Sequence, residues 1–341
     1  MKFKVLLRKG DDNDATHEYI NILKDAAVKA FGTTGIDSIY SVKEADDDDV
    51  FIIISPQAII ANKLYLSGKR KFIYWFQGVV PEEIVYLFGG FYTRIKAFTF
   101  SFAEKYILKN AEQIFFVSEK LHQHYMVKYG YNKDNNIVMP CFNQPLDESA
   151  FIDAKYKKPT FVYAGSMARW QCPEETIRLF SAIKKQIPEA TLTILTADQE
   201  KAHNLLSDNN TEAEVKYIPL KELPSEMAKY KYGFLLRENM IINEVATPTK
   251  MNSYMASGVI PVFSNVIGDF KDVFRPLNFT VACDNNYDKI IEQIIEIENN
   301  NIDCQQILNE YRSIFNTYYN RDAYVSLIAE KLSHCFAKQK Q

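Results

Sequence analysis

Arg237-Glu-Asn-Met-Ile-Ile-Asn-Glu-Val-Ala-Thr-Pro-Thr-Lys-Met-Asn-Ser-Tyr-Met-Ala-Ser-Gly-Val-Ile-Pro-Val-Phe-Ser264 is the stretch that decides how the rest of the chain is read. Thr247 can cap a helix by accepting from a free amide, Pro248 suits a first helical position because it has no amide hydrogen to lose, and Gly258 suits a left-handed closing residue. The spacing predicts a short helix from Pro248 to Ser257. Val259–Ser264 is an apolar run of strand length, and the apolar run Tyr232–Leu236 is a strand that delivers Arg237 at its carboxyl end. Strand, polar loop, helix, strand brings strand carboxyl ends and a helix amino end to one crevice, where free amides and the helix dipole favour an anion. Arg237 and Lys250 both fall there, which makes a phosphate the natural guest. The plainer alternative is a surface ion pair at Arg237 and a solvated Lys250.

Working outward, the same alternation repeats. Thr160–Ala164 reads as a strand, followed by the loop Gly165-Ser166-Met167-Ala168-Arg169-Trp170 and a helix Glu174–Lys185. Strands at Ala190–Leu195 and Glu214–Pro219 follow, with helices at Gln199–Leu206 and Leu223–Lys229. This is the pattern of a parallel sheet covered by helices on both faces. Glycine at position 165 lets a backbone approach a phosphate closely, and Arg169 supplies charge beside it. Asp288–Ile297 and Ile307–Ile328 read as amphipathic helices, ahead of a polar tail from Ser333.

The amino-terminal half repeats the pattern. Phe3–Leu7, Val50–Ile54, Lys71–Phe76, Gln113–Val117 and Ile137–Pro140 read as strands, with helices at Glu18–Phe31 and Ser118–Tyr129. The loop Arg8-Lys9-Gly10-Asp11-Asp12-Asn13 after the first strand is not a Gly-x-Gly-x-x-Gly fingerprint, so the usual dinucleotide argument fails there. Asp46–Asp49 reads as a solvated turn, because neighbouring carboxylates rarely converge on one ion. Gln77-Gly78-Val79-Val80-Pro81-Glu82-Glu83 leaves a strand end as a short polar loop, making Gln77, Glu82 and Glu83 candidate site residues. Pro81-Glu82-Glu83 also suits the first turn of a helix. Tyr86–Leu108 mixes Phe, Tyr and Leu with Arg94, Lys96, Lys105 and Lys109, and reads either as a core helix with snorkelling cations or as a membrane-interface segment. His122 and His124 lie two apart and cannot share a helical face. Asn143–Lys158 is polar and proline-bounded, as an interdomain linker would be.

A chain of 341 residues exceeds what one core usually serves, so two domains are expected. With 40 Lys and Arg against 43 Asp and Glu, the formal charge of −3 supplies no global field for nucleic acid. The five cysteines are scattered, without metal-ligand spacing, and read as reduced thiols of a cytoplasmic protein. No apolar run is long enough for a signal peptide or a membrane span.

The string Ala246-x-Pro248-x-Lys250-x-x-x-Tyr254-Met255-Ala256-x-Gly258, with Arg237 and Asn243 upstream, resembles the nucleotide-sugar loop and helix of family-4-like glycosyltransferases. The loop at Gly165 resembles the loop that opens their donor domain, with Glu174 where a lysine is usual. The resemblance implies a GT-B fold: α/β, two facing Rossmann-like domains with parallel sheets and a cleft between them. Its expected divisions are an acceptor-side domain over 1–150, a donor domain over 151–320 and a closing helix and tail over 321–341. It implies transfer of a sugar from a nucleotide-diphosphate sugar to a saccharide hydroxyl, as in surface polysaccharide synthesis, with retention of configuration and neither metal nor cofactor. Implied donor-binding residues are Gly165, Ser166, Arg169, Arg237, Asn243, Glu244, Thr249, Lys250 and Ser253, with Gln77, Glu82 and Glu83 as catalytic candidates. A saccharide or lipid-linked acceptor, and a place at the inner face of a membrane, go with that reading. One departure stands out. Many members carry two glutamates separated by seven residues, and here those positions hold Val245 and Ser253, with Glu244 one residue away. A non-catalytic sugar-nucleotide-binding subunit is the rival reading, and a nicotinamide-dependent oxidoreductase a more distant one.

Overall fold

The computed structural model describes residues 2–8, 10–11, 14–32, 36–66, 70–283, 286–300 and 302–337. Lys9, Asp12 and Asn13 of the first loop, and the end of the polar tail, lie outside the described residues. The chain divides into two compact units, Met1–Asn143 with Val245–Thr247 and Asn320–Gln341, and Gln144–Glu244 with Pro248–Tyr319.

The first unit runs β1 (Phe3–Leu6), α1 (Asp14–Phe31), β2 (Asp37–Ile39), β3 (Val50–Ile53), α2 (Pro56–Leu66), β4 (Lys71–Phe76), α3 (Val80–Phe88), α4 (Phe91–Asn110), β5 (Gln113–Phe116), α5 (Glu119–Tyr129) and β6 (Asn136–Val138). Its strands form one parallel sheet in the order β2-β1-β3-β4-β5-β6. Because helices cover both faces, the central strands are apolar throughout; β3 and β5 are buried at every position. The strand order reverses between β1 and β3, which puts the loops after those two strands on either side of a crevice.

The second unit runs α6 (Asp153–Tyr156), β7 (Thr160–Ala164), α7 (Pro173–Gln186), β8 (Thr191–Leu195), α8 (Gln199–Asp208), β9 (Glu214–Lys216), α9 (Leu223–Met227), β10 (Tyr232–Leu235), α10 (Ile241–Glu244), α11 (Thr249–Ala256), β11 (Ile260–Ser264), α12 (Gly268–Phe274), β12 (Val281–Cys283), α13 (Tyr287–Asn299) and α14 (Cys304–Thr317). The parallel order is β12-β11-β10-β7-β8-β9. The chain works outward from β7 to β9, then returns to β10 on the other flank. The order reverses between β7 and β10, so the loops that begin at Gly165 and Arg237 border the switch point.

Several boundaries differ from the sequence reading. Tyr86–Leu108 is two helices, α3 and α4, parted by Gly89 and Gly90, both with positive φ (59° and 82°). The stretch Ile307–Ile328 also breaks in two, at Tyr318–Asn320, and the second piece, α15 (Arg321–Ala337), runs into what reads as a polar tail. This helix packs on α1: Arg321 bonds Glu18 at 2.7 Å and Asp25 at 2.6 Å, and Phe336 meets Phe3 edge to face. Strand β2 carries no sequence signal, because two of its three residues are exposed at the sheet edge. The four aspartates form a turn: Asp49 accepts from the Lys2 and Asp46 amides, and Asp47 pairs with Arg70.

Candidate active site

Helix α11 is the centre of the second unit's site, and it begins one residue later than the sequence predicts. Pro248 is the N-cap and the cap has no side-chain hydrogen bond. Thr247 is not available for that role, because its hydroxyl donates to Val117 O (3.1 Å) and accepts from the Cys141 amide (3.1 Å) within the first unit. The first-turn amides of α11 are left without a side-chain cap, the condition under which a helix start attracts an anion. The other end follows the sequence reading: Gly258 takes φ 66° and the Val259 amide reaches back to Tyr254 O at 2.9 Å.

Two glycines make room for side chains from this helix. The Tyr254 ring lies on Gly233, where an added Cβ would come within 2.8 Å of ring carbons, and its hydroxyl donates to Phe234 O at 3.0 Å. Gly165, at φ 149°, faces Lys250, whose Nζ would stand 2.8 Å from an added Cβ. Lys250 donates to Gln171 Oε1 (3.1 Å) and lies over the Tyr163 ring at 4.6 Å. Gln171 in turn donates to Ser166 Oγ at 3.0 Å, so the loop after β7 is tied to the first turn of α11.

Arg237, only 8% exposed, is held by its own amide bonding Ser264 Oγ at 2.9 Å. Burial lowers its pKa from the usual guanidinium value. Lys250 is pushed well below the ordinary lysine range, first by burial and then by Arg237. Neither cation forms an ion pair among the described residues. Two crowded like charges without a carboxylate raise each other's cost, and an anion between them would remove it. Arg237 also borders a cavity of about 430 Å³, lined with Arg169, Cys172, Glu238, Asn239, Ser264 and Tyr287 among others.

The remaining donor-side candidates divide. Asn243 is buried and donates to Glu238 O at 2.8 Å, which shapes the loop after β10. Arg169 is largely exposed and sits 3.5 Å from Glu238. Ser253 donates to Thr249 O, in its own helix, at 3.2 Å. Glu244 is exposed at the end of α10. Cys172, which the sequence did not single out, adopts a left-handed φ of 50° at the start of α7, and burial pushes its thiol up to about 12.

In the first unit, Gln77 and Glu83 line one cavity of about 360 Å³ at the β1/β3 switch point, together with Asp11, Ser55 and Glu104. Burial raises the Glu83 carboxyl above its usual range. Glu82 does not join that cavity: Lys128 at 2.7 Å and His124 at 3.5 Å engage it, and they outweigh burial to hold its pKa low. Asp11 and Ser55 bond each other at 2.9 Å. They escape sequence reasoning because only the strand order brings the two loops together. Glu104 escapes it too, as a lone acid in an aromatic helix. It is 1% exposed and bonded by Tyr125, Tyr129 and Lys128.

Residues 147–313 match the family model described as glycosyl transferases group 1. No curated protein sequence matches the chain. Among solved structures, the chain resembles a sucrose-phosphate synthase from Thermosynechococcus elongatus (TM-score 0.71, 13% identity, 99% of this chain and 100% of that one). It also resembles Anabaena HepE in complex with UDP and glucose (0.69, 14%, 98% and 100%). A third is a TarM variant from S. aureus in complex with fondaparinux, alpha-GlcNAc-glycerol and UDP (0.62, 15%, 87% and 57%), so the chain spans a little over half of TarM. At these identities the likeness concerns the fold. The donor-side geometry falls within residues 147–313, which match the glycosyl transferases group 1 model, in an α/β fold of the GT-B type.

Proposed function

We propose that the protein transfers a sugar from a nucleoside-diphosphate sugar to a hydroxyl of another saccharide, in polysaccharide or glycan assembly. The observation that carries this reading is the meeting of Arg237 and Lys250, both without a carboxylate partner among the described residues, at the uncapped start of α11. The neighbours that carry UDP in their structures support the choice of guest. The diphosphate lies against the α11 amides, with Arg237 and Lys250 on its oxygens and Gly165 allowing close approach. As the bond from the anomeric carbon to the diphosphate breaks, charge grows on the leaving oxygen, and cations already desolvated stabilise it without reorganising. No divalent cation is required, and the anomeric configuration is retained, as in the family the sequence resembles. On the acceptor side, Gln77 and Glu83 supply hydrogen bonds to the incoming saccharide, and Glu82 serves their scaffold.

The test is release of nucleoside diphosphate from a panel of nucleotide sugars, with and without saccharide acceptors, in the presence of chelator. Acceptor-dependent release that survives chelation is the expected result. Loss of activity in chelator, restored by magnesium or manganese, overturns the metal-free mechanism. Binding without any turnover favours the rival reading of a non-catalytic sugar-nucleotide-binding subunit, for which Val245 and Ser253 in place of glutamates speak.

The acceptor side also suggests a membrane. Phe88, Phe91, Tyr92 and Phe98 on the α3–α4 hairpin are 65–86% exposed, with Arg94 and Lys96 among them. Such a face suits a bilayer interface carrying a lipid-linked acceptor. No helix among the described residues is long and apolar enough to cross a membrane, so contact would be peripheral. Sedimentation with anionic vesicles at low salt, and release at high salt, checks it; no recovery at low salt overturns it.

A further inference from the structure

Gln144–Tyr156, which the sequence marks as part of a linker, is fastened along α11. Gln144 and Asn252 exchange two hydrogen bonds, from the Gln144 amide to Asn252 Oδ1 (2.9 Å) and from Asn252 Nδ2 to Gln144 O (3.1 Å). The Asp147 amide then donates to Ala256 O at 2.9 Å, Lys155 Nζ to Ser257 O, and the Tyr156 hydroxyl to Gly258 O at 2.7 Å. Three successive carbonyls at the end of α11 are each met by a donor from this one segment. The segment is braced from its far side by α14, through Arg312 to Glu148 at 2.9 Å and the Cys304 amide to Asp153 at 3.4 Å.

Lys155 is the unusual member. It is 6% exposed and forms no ion pair among the described residues, and burial, opposed only by Asp147, brings its pKa down to about 7. A buried lysine is costly, and here a helix carboxyl end and the face of Tyr156, 5.4 Å away, offset that cost. Space around it is fixed as well: a Cβ on Gly258 would come within 2.9 Å of the Tyr156 hydroxyl and 3.1 Å of Lys155 Nζ.

We infer that Lys155 and Tyr156 are positioning residues for donor binding, which hold the carboxyl end of α11 so that its opposite end meets the diphosphate. The inference rests on the reading of α11 as the diphosphate site. A helix of eight residues is marginal alone and takes its place from its anchors, and it moves as one body. Released at one end, it tilts at the other, where loss of one charged hydrogen bond to the diphosphate, about 1.5–3 kcal/mol, corresponds to tenfold or more in affinity.

Calorimetry with UDP-, GDP- and ADP-linked hexoses tests this in Lys155→Met, Tyr156→Phe and Arg237→Ala. The expected result is one site per chain in the first two, with affinity lowered about tenfold or more in Lys155→Met and by less in Tyr156→Phe. An unchanged dissociation constant, whether with full stoichiometry or with fewer competent sites, means a merely structural role and overturns the inference. Should Lys155→Met fail to fold, unchanged affinity in Tyr156→Phe overturns it equally. Loss in Arg237→Ala beside unchanged Lys155→Met and Tyr156→Phe overturns this inference alone. Wild-type protein that takes up none of the sugars overturns both this and the donor-site reading.

Discussion

In the first unit, the buried Glu104 has both oxygens taken, one by Tyr125 and the other by Tyr129 and Lys128, and Lys128 goes on to Glu82. In the second unit, Arg237 is buried and Lys250 half-buried, yet neither meets a carboxylate among the described residues. Both arrangements cost desolvation; at Glu104 burial still raises the carboxyl above its usual range, but the fold supplies partners that offset part of the cost, and at Arg237 and Lys250 it supplies no counter-charge among the described residues. Satisfied buried charge marks structure, and unsatisfied buried charge marks a site that waits for its partner. The contrast separates what mutation should do in the two regions.

The largest effect is expected at Glu104. Glu104→Ala strands Lys128 beside Glu82 alone, takes the acceptor of the Tyr129 hydroxyl and leaves Tyr125 with Gly78 O; because Lys128 is partly exposed, the loss should be about 3 kcal/mol of stability, at the low end for a broken buried pair. Urea unfolding measures it, and nucleotide-sugar affinity in the folded variant should not change. A loss of affinity without a loss of stability would reverse the assignment of the two regions.

Arg237→Ala and Lys250→Ala should do the opposite. Each is expected to weaken nucleotide-sugar binding by roughly 1.5–3 kcal/mol, the worth of a charged hydrogen bond, while thermal stability holds or rises. Calorimetry beside a melting curve reads both, and unchanged affinity in both variants would remove the diphosphate from this place.

Lys250 also yields a proton count. Its folded pKa lies well below 10.5, so the unfolded chain binds more protons in the window between the two values, and its contribution to stability rises with pH across that window. A bound diphosphate restores the charged form, so donor binding within the window should take up as much as one proton. Heats measured in buffers of different ionisation enthalpy report the uptake, with a nucleotide sugar as ligand. Uptake that persists unchanged in Lys250→Arg would assign it to another group.

The smallest effect concerns Ser253. A short neutral hydroxyl that already bonds Thr249 O offers the ribose about 0.5–1.5 kcal/mol. A 2′-deoxy donor should therefore lose no more than about tenfold in efficiency. Discrimination of about a hundredfold that disappears in Glu244→Gln would show that a carboxylate from α10 has taken over the ribose.

Much of this was legible in the order of residues. Buried parallel strands announce themselves as apolar runs, so the central strands of both sheets were readable. Gly258 closed its helix as predicted, because few residues but glycine accept a left-handed φ at low cost. Thr247 was misassigned because a hydroxyl before Pro248 has two possible uses, and its actual partners, Val117 and Cys141, lie more than a hundred positions away. Glu82 and Glu83 look alike in sequence, but the rotation of about 100° between successive helical residues sends the first to Lys128 and the second into a cavity.

The sequence by itself determined the alternation of strands and helices, the placing of glycine at 165 and 258, and the presence of Arg237 and Lys250 beside a helix start. These depend on local propensity and on periods of two or 3.6 residues, which neighbours along the chain record. Only the tertiary structure decided that Lys250 faces Arg237 without a counter-charge, that Glu104 is satisfied, that Asp11 meets Ser55 and that Lys155 holds the far end of α11. Each of these depends on which strands lie side by side, and so on contacts between residues far apart in the chain, where burial and pairing set the energy of a charge.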